Sequence, residues 1–373
     1  MTRTDMSQTS EKKKKAGRAA RNTVLIILAL ILALFGILYG YFHSKYSKIY
    51  GGKNKEFSDD YEGTINVSDE LTEAMRESTE LAGLEIKDAV ESTGEIVWDD
   101  DVFNVLLIGT DERTDGSYSD NARGDACMLL SVNISGSAPV ISLVSLERGM
   151  GVPILDGPYK GEWDWLTHTF RYGGAELLMR EVAETLKVDV DYYVRINFNI
   201  FVQAIDTLGG VTVNFDAAEA EAFNKAGYGF ATVGDNRLDG ERALYYARLR
   251  YIDSDWVRIQ RQREIVLSVF EKCKNKPFEE IDSLIDSLLP LVKTNIPESK
   301  IAELMTLIPS LPKAKTQQMT IPARGTFGYM VGMGGRNMFA VDFEENSRIL
   351  KDFLYPQLKT AREKTADSAP DAD

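Results

Sequence analysis

Apolar residues along this chain fall into blocks of two kinds. The first is a single long block, Thr23–Phe42, in which twenty consecutive residues carry no charge. That length suffices for a helix across a bilayer core. The second kind is short and recurs from residue 98 onward. Val102–Thr110 (VFNVLLIGT), Met128–Ile134 and Val140–Leu146 are continuous apolar runs, the pattern of strands buried on both faces. Tyr192–Phe198, Val211–Phe215 and Gln317–Ile321 are further strand candidates.

Helical spacing fills the intervals. Asn199 reads as the N-cap of a helix Ile200–Leu208, which Gly209-Gly210 ends. Helices follow from Asp239 or Gly240 to Ala247, from Trp256 to about Cys273, between Pro277 and Pro290, and over Asp342–Leu354. Ser68–Thr93 has weak helical spacing and reads as a stalk. Strands alternating with helices, with hairpin-like pairing near the start, predict an α/β fold. We expect a three-layer α/β/α domain with a mixed central sheet, preceded by one transmembrane helix. The expected division is a basic tail (1–22), a membrane span (23–42), a spacer (43–97), a catalytic domain (98–358) and a loose tail (359–373).

Charge gives the span a direction. Lys12–Lys15, Arg18 and Arg21 precede it, and only Lys45 and Lys48 follow closely. The positive-inside bias therefore predicts a single-pass protein of the cell membrane, with a cytoplasmic N-terminus and an extracellular domain. Bulky Tyr39, Tyr41 and Phe42 argue against a cleaved leader. The chain carries −14 overall and +7 over its first fifty residues, which leaves −21 for the remainder. So acidic a domain fits no nucleic-acid partner. Two histidines and two cysteines exclude most zinc and triad chemistry. Cys127, inside CMLLSVNI, reads as a buried thiol.

Against this acidity, six arginines and no lysine lie between Arg242 and Arg263. A solvated helix face is one reading. The other is a set of planar forks for an oxyanion. Arg258, Arg261 and Gln262 recur at helical spacing, and Arg248 and Arg250 are two apart; Arg237, Arg242 and Arg263 read as surface charges. A second set lies beside the ends of the buried strands: Asp111 and Arg113 after the first, Arg123 and Asp125 before the second, Arg148 after the third. If the strands are neighbours, these groups converge on one edge. Asp111 and Asp125 would suit Mg²⁺ shared with phosphate oxygens, and the arginines would grip a diphosphate.

Six motifs in order resemble the LytR-CpsA-Psr family of cell-envelope proteins: NVLLIGTDER, ARGDACMLLSVN, VISLVSLERGMGVPI, LTHTFRYGG, YYVRINFNIFVQAIDTLGGVTVNF and LDGERALYYARLRYIDSDWVRIQRQR. The match runs from about Phe103 to Gln262, with a weaker tail to about Tyr355. The resemblance implies a phosphotransferase. It would move an anionic glycopolymer, such as teichoic acid or capsule, from an undecaprenyl-pyrophosphate carrier to a peptidoglycan hydroxyl. It assigns the acids to Asp111 and Asp125, and the pyrophosphate contacts to Arg148, Arg248, Arg250, Arg258, Arg261 and Gln262. An apolar tunnel for the lipid would draw on Phe198, Phe201, Val202, Ile205 and Leu208.

The chain departs from the family pattern at Glu147-Arg148-Gly149-Met150, where Pro-Arg-Asp-Thr is common, and at Val257, where glycine is common. The missing acid after Arg148 leaves open a non-catalytic, ligand-holding homologue. A lipid pyrophosphatase is the remaining alternative.

Overall fold

The structure is a computed structural model that describes residues 84–111, 124–249 and 255–357. The tail 1–22, the apolar segment 23–42, the spacer to residue 83 and the tail from 358 lie outside the described residues. So do Arg113, Arg123, Arg250 and the side chain of Asp125. Among the described residues no helix is long and apolar enough to cross a membrane.

Twelve strands are described: β1 (Val102–Thr110), β2 (Gly124–Asn133), β3 (Val140–Leu146), β4 (Gly151–Pro153), β5 (Trp163–Trp165), β6 (Tyr192–Asn197), β7 (Val211–Phe215), β8 (Gly234–Leu238), β9 (Lys293–Thr294), β10 (Lys315–Ile321), β11 (Phe327–Val331) and β12 (Asn337–Val341). The helices are α1 (Leu166–Leu186), α2 (Phe198–Thr207), α3 (Ala217–Ala226), α4 (Gly240–Ala247), α5 (Asp255–Lys274), α6 (Phe278–Leu288), α7 (Glu298–Thr306) and α8 (Phe343–Leu354).

A six-stranded mixed sheet, ordered β10-β3-β2-β1-β6-β9, forms the centre and is flanked by helices. Strand β2 is antiparallel to both neighbours, whereas β6 runs parallel to β1 and β10 parallel to β3. The carboxyl ends of β1, β3, β6 and β10 therefore share one edge with the start of β2. That edge is where the motif acids and Arg148 converge. The apolar runs become two-sided strands as expected: β3 is buried at six of its seven positions. Leu106, Ile108, Leu129, Val144 and Leu146 pack with Leu178, Val182 and Leu186 of α1 and Leu350 and Leu354 of α8. Cys127 is buried there as a free thiol, and burial pushes its pKa up to about 12.

A second core lies beside the first. The antiparallel β7–β8 pair packs on α3, α4 and α5 through Phe215, Phe223, Tyr246 and Ile265. Helix α5 serves both bodies: Ile265 enters this core, while Arg263 reaches the sheet.

Three expectations are corrected by the packing. Asn197, not Asn199, caps α2, with its side chain accepting from the Ile200 N–H at 3.0 Å. Residues 84–97 are extended rather than helical, bridging Ile86 to Tyr329, Val90 to Asp342 and Val97 to Val188. Arg263 is buried, not a surface charge: it donates to Gln318, Ser145, the Met319 carbonyl and Thr320 at 2.7–3.0 Å.

Candidate functional site

The site begins where β1 and β2 part. Thr110 pairs with Gly124, but Gly109 pairs with Ala126, so a bulge places Asp125 as the extra residue. Bulges recur beside functional sites because they re-aim a strand end. Asp111 follows β1 directly and is half-buried. Asp111 and Asp125 thus stand on adjacent chain segments at one sheet edge.

Arg148 leaves the carboxyl end of β3 two strands away. Its Nε donates to Asp255 Oδ2 at 3.0 Å. Asp255 opens α5, and three residues on, one turn later, Arg258 donates to the same Oδ2 at 2.5 Å and pairs with Oδ1. A single buried carboxylate thus joins two buried guanidinia, one from the sheet and one from the helix. Glu147 completes the group. It is 1% exposed, and its Oε2 accepts the Gly149 N–H. Burial and then the Asp255 carboxylate push its pKa well above the usual carboxylate range, while Arg148 opposes the shift. Asp255 has two arginines, so Glu147 is the member of the acid pair that holds the proton.

Gly149 makes room for this arrangement. A Cβ there would meet Glu147 Oε2 at 3.3 Å and the Phe339 ring at 3.5 Å. The residue that stands where the family carries an acid is therefore covered by the acid two positions earlier.

The arginine run divides in the fold. Arg258 turns to the sheet edge. Arg261 turns into the second core, where its Nε donates to Glu219 at 2.6 Å and its Nη1 to the Leu249 carbonyl at 3.0 Å. Gln262 holds the Ala247 carbonyl at 3.3 Å. Arg248 is exposed at the end of α4, its guanidinium 4.6 Å from the centre of the Phe198 ring. Phe198, Phe201 and Val202 are half-buried, whereas Ile205 is core. Glu219 belongs to the capping box of α3 and is 5% exposed, so Arg261 neutralises a carboxylate already fixed to a helix terminus.

A further cluster adjoins Arg148 and was not legible in the sequence. The Trp165 ring lies 5.3 Å from the Arg148 guanidinium and 5.7 Å from that of Arg336. Beside it Asp164, fully buried, accepts from the Trp165 N–H, Tyr172 Oη, Arg336 and His168 Nδ1 at 2.5–3.1 Å. Burial raises the Asp164 pKa, but these donors outweigh it and hold the carboxyl below its usual range. Burial also lowers the His168 pKa against the pull of Asp164, leaving a neutral ring. Gly174, in the left-handed region at φ 65°, breaks α1 just after Tyr172 and lets its first turns face the site. For Asp255 a signal did exist: an acid at the first turn of a helix, three residues before an arginine.

The model of the LytR_cpsA_psr family matches residues 64–352. A polyisoprenyl-teichoic acid–peptidoglycan teichoic acid transferase, TagU of Bacillus licheniformis, is 34% identical over 199 residues, covering 52% of this chain and 60% of the relative. TagT of Bacillus subtilis, of the same description, is 33% identical over 225 residues, covering 59% and 68%. This chain therefore spans about three fifths to two thirds of those relatives' length. A solved structure described as TagT bound to LIIa-WTA is 27% identical with a TM-score of 0.54, over 73% of this chain and 97% of that one. Protein gbs0355 from Streptococcus agalactiae, 23% identical with a TM-score of 0.57 over 68% and 88%, shares the fold.

Proposed function

The chain belongs to the LytR_cpsA_psr family, and on that premise we propose a phosphotransferase that moves an anionic glycopolymer from an undecaprenyl-diphosphate carrier to a peptidoglycan sugar hydroxyl. The apolar segment Thr23–Phe42 would anchor it in the cell membrane, with the domain outside. The observation that supports this reading most is the Arg148–Asp255–Arg258 cluster at the sheet edge that carries Asp111.

Phosphoryl transfer requires positioning and charge neutralisation more than a protein nucleophile. Arg148 and Arg258 would hold the diphosphate oxygens, and exposed Arg248 would add a third guanidinium. The acceptor hydroxyl oxygen bonds to the glycan-linked phosphorus, and the bond from that phosphorus to the bridging diphosphate oxygen breaks. Undecaprenyl phosphate leaves with the electron pair, and the hydroxyl proton passes to a carboxylate at the edge. Asp111 and Asp125 would hold Mg²⁺, which supplies further neutralisation of the diphosphate. Phe198, whose ring lies under Arg248, with half-buried Phe201 and Val202 on the same helix, would take the first isoprene units.

The test uses the full chain in nanodiscs with a polyprenyl-diphosphate-linked glycan and Mg²⁺. Release of polyprenyl phosphate that depends on a peptidoglycan acceptor is expected. Equal release without acceptor would make the protein a hydrolase, and no release in either case would leave only a binding role.

A further inference from the structure

A surface groove of about 550 Å³, which shares β5 with the Trp165 ring that contacts Arg148, runs between two walls. Tyr159, Glu162 and Trp163 form one wall, and Val331, Gly332 and Met333 the other. We propose that this groove is the acceptor subsite, binding the uncharged amino-sugar rings of a glycan strand. The proposal rests on the transferase reading and adds where the acceptor lies.

The walls are built and not incidental. Tyr159 is 39% exposed, yet its ring centroid lies 4.9 Å from that of Tyr172. Tyr172 in turn donates to Asp164 at 2.5 Å. The opposite wall is fixed from the same carboxylate, because Asp164 also holds Arg336, whose carbonyl accepts the Gly332 N–H at 2.9 Å. Gly332 approaches β5 so closely that a Cβ would stand 2.5 Å from the Trp163 carbonyl oxygen. One buried acid with no other assigned task thus sets the spacing of both walls.

The lining selects the ligand. Two aromatic faces with one polar side chain and a glycine turn match the apolar face and hydroxyl edge of a pyranose. Among the lining residues the single charged side chain is Glu162, a carboxylate. It accepts hydrogen bonds from hydroxyl and amide groups and repels phosphate. The phosphate-bearing donor polymer is therefore disfavoured, and a neutral acceptor glycan is favoured.

Position completes the argument. Trp163 and Trp165 lie on the same face of β5, about 7 Å apart along the strand. The Trp165 ring is the one that contacts Arg148. A sugar on Trp163 would therefore lie two positions along β5 from the residue whose ring contacts Arg148.

The experiment measures two affinities on the full chain in nanodiscs: for the uncharged tetrasaccharide of N-acetylglucosamine, and for a polyprenyl diphosphate. Tyr159→Ala and Glu162→Gln change exposed side chains and keep the fold. Each is expected to weaken tetrasaccharide binding at least tenfold while polyprenyl-diphosphate affinity stays within twofold. Wild-type tetrasaccharide affinity in both variants, or no tetrasaccharide binding by the unmodified chain, overturns the subsite. A chain that binds the tetrasaccharide through these residues but not the polyprenyl diphosphate upholds the subsite and sinks the transferase reading instead.

Discussion

Arg148 and Asp255, 107 residues apart in sequence, meet at 3.0 Å and tie the end of β3 to the first turn of α5. Because Arg258 shares the same carboxylate, Asp255 keeps two buried positive charges close without repulsion. Asp255→Asn would leave both guanidinia underpaired. Removing one partner of a buried ion pair costs about 3–5 kcal/mol, so we expect a loss of that order in chemical unfolding. Polyprenyl-diphosphate affinity should fall with it, since the two arginines would separate. A variant with unchanged stability and unchanged affinity would refute the bridging role.

Arg261 should behave differently from Arg258. It lies in the second core, bonded to Glu219 at 2.6 Å. Arg261→Met strands a buried carboxylate and is expected to lose about 3–5 kcal/mol of stability. The double variant Arg261→Met with Glu219→Gln should recover much of that loss, because both charges disappear together. Thermal unfolding of the two single variants and the double one decides it. Strict additivity would mean that the pair is not coupled.

What the sequence made legible, and what it hid, follows from the range of the interactions. Continuous apolar runs located β1 and β3 to the residue, because burial on both faces leaves no polar alternation to blur them. The edge that carries Asp111, Asp125 and Arg148 was expected on the condition that the strands are neighbours, which the order β3-β2-β1 supplies. By contrast, α1 escaped notice. Gly173 and Gly174 interrupt it, and its buried face includes Thr167, His168, Arg171 and Glu181. Arg263 was read as a surface charge because its partners, Ser145, Gln318 and Thr320, are 55 to 118 residues distant. Helical spacing put Arg258 and Arg261 near one another. It could not show that two different carboxylates, Asp255 and Glu219, draw Arg258 to the sheet edge and Arg261 into the second core.

Glu147 makes stability depend on pH. Burial and Asp255 raise its folded pKa above the ordinary 4.5, so the protonated form is favoured in the fold. The sign is therefore fixed: its contribution is full below the unfolded value and is lost as pH rises through the folded one. Glu147→Gln keeps a donor for Asp255 and an acceptor for the Gly149 N–H without the ionisation. The variant should unfold at a higher temperature than the parent above neutral pH, and the gap should close toward pH 4. A constant gap across that range would show that Glu147 is ionised in the fold.

Glu181 offers a second titration, outside the Arg148–Asp255–Arg258 cluster and independent of any ligand. Its side chain is fully buried on α1; Oε1 accepts the Leu155 N–H at 2.7 Å, and Oε2 has no partner among the described residues. Burial lifts its pKa from 4.5 to about 7, with the Leu155 N–H pulling slightly the other way. Below pH 4.5 both folded and unfolded chains carry the proton, and nothing is lost. Between pH 4.5 and 7 the unfolded chain ionises while the folded one does not. Stability therefore drains away over that window, by up to about 3 kcal/mol. Glu181→Gln preserves the acceptor for Leu155 and removes the titration, at about 1–3 kcal/mol for the buried amide. The difference in unfolding free energy between variant and parent should shift toward the variant by about 2–3 kcal/mol from pH 4.5 to pH 8. Denaturant unfolding at those two pH values measures it, and an identical difference at both would refute the shifted carboxyl.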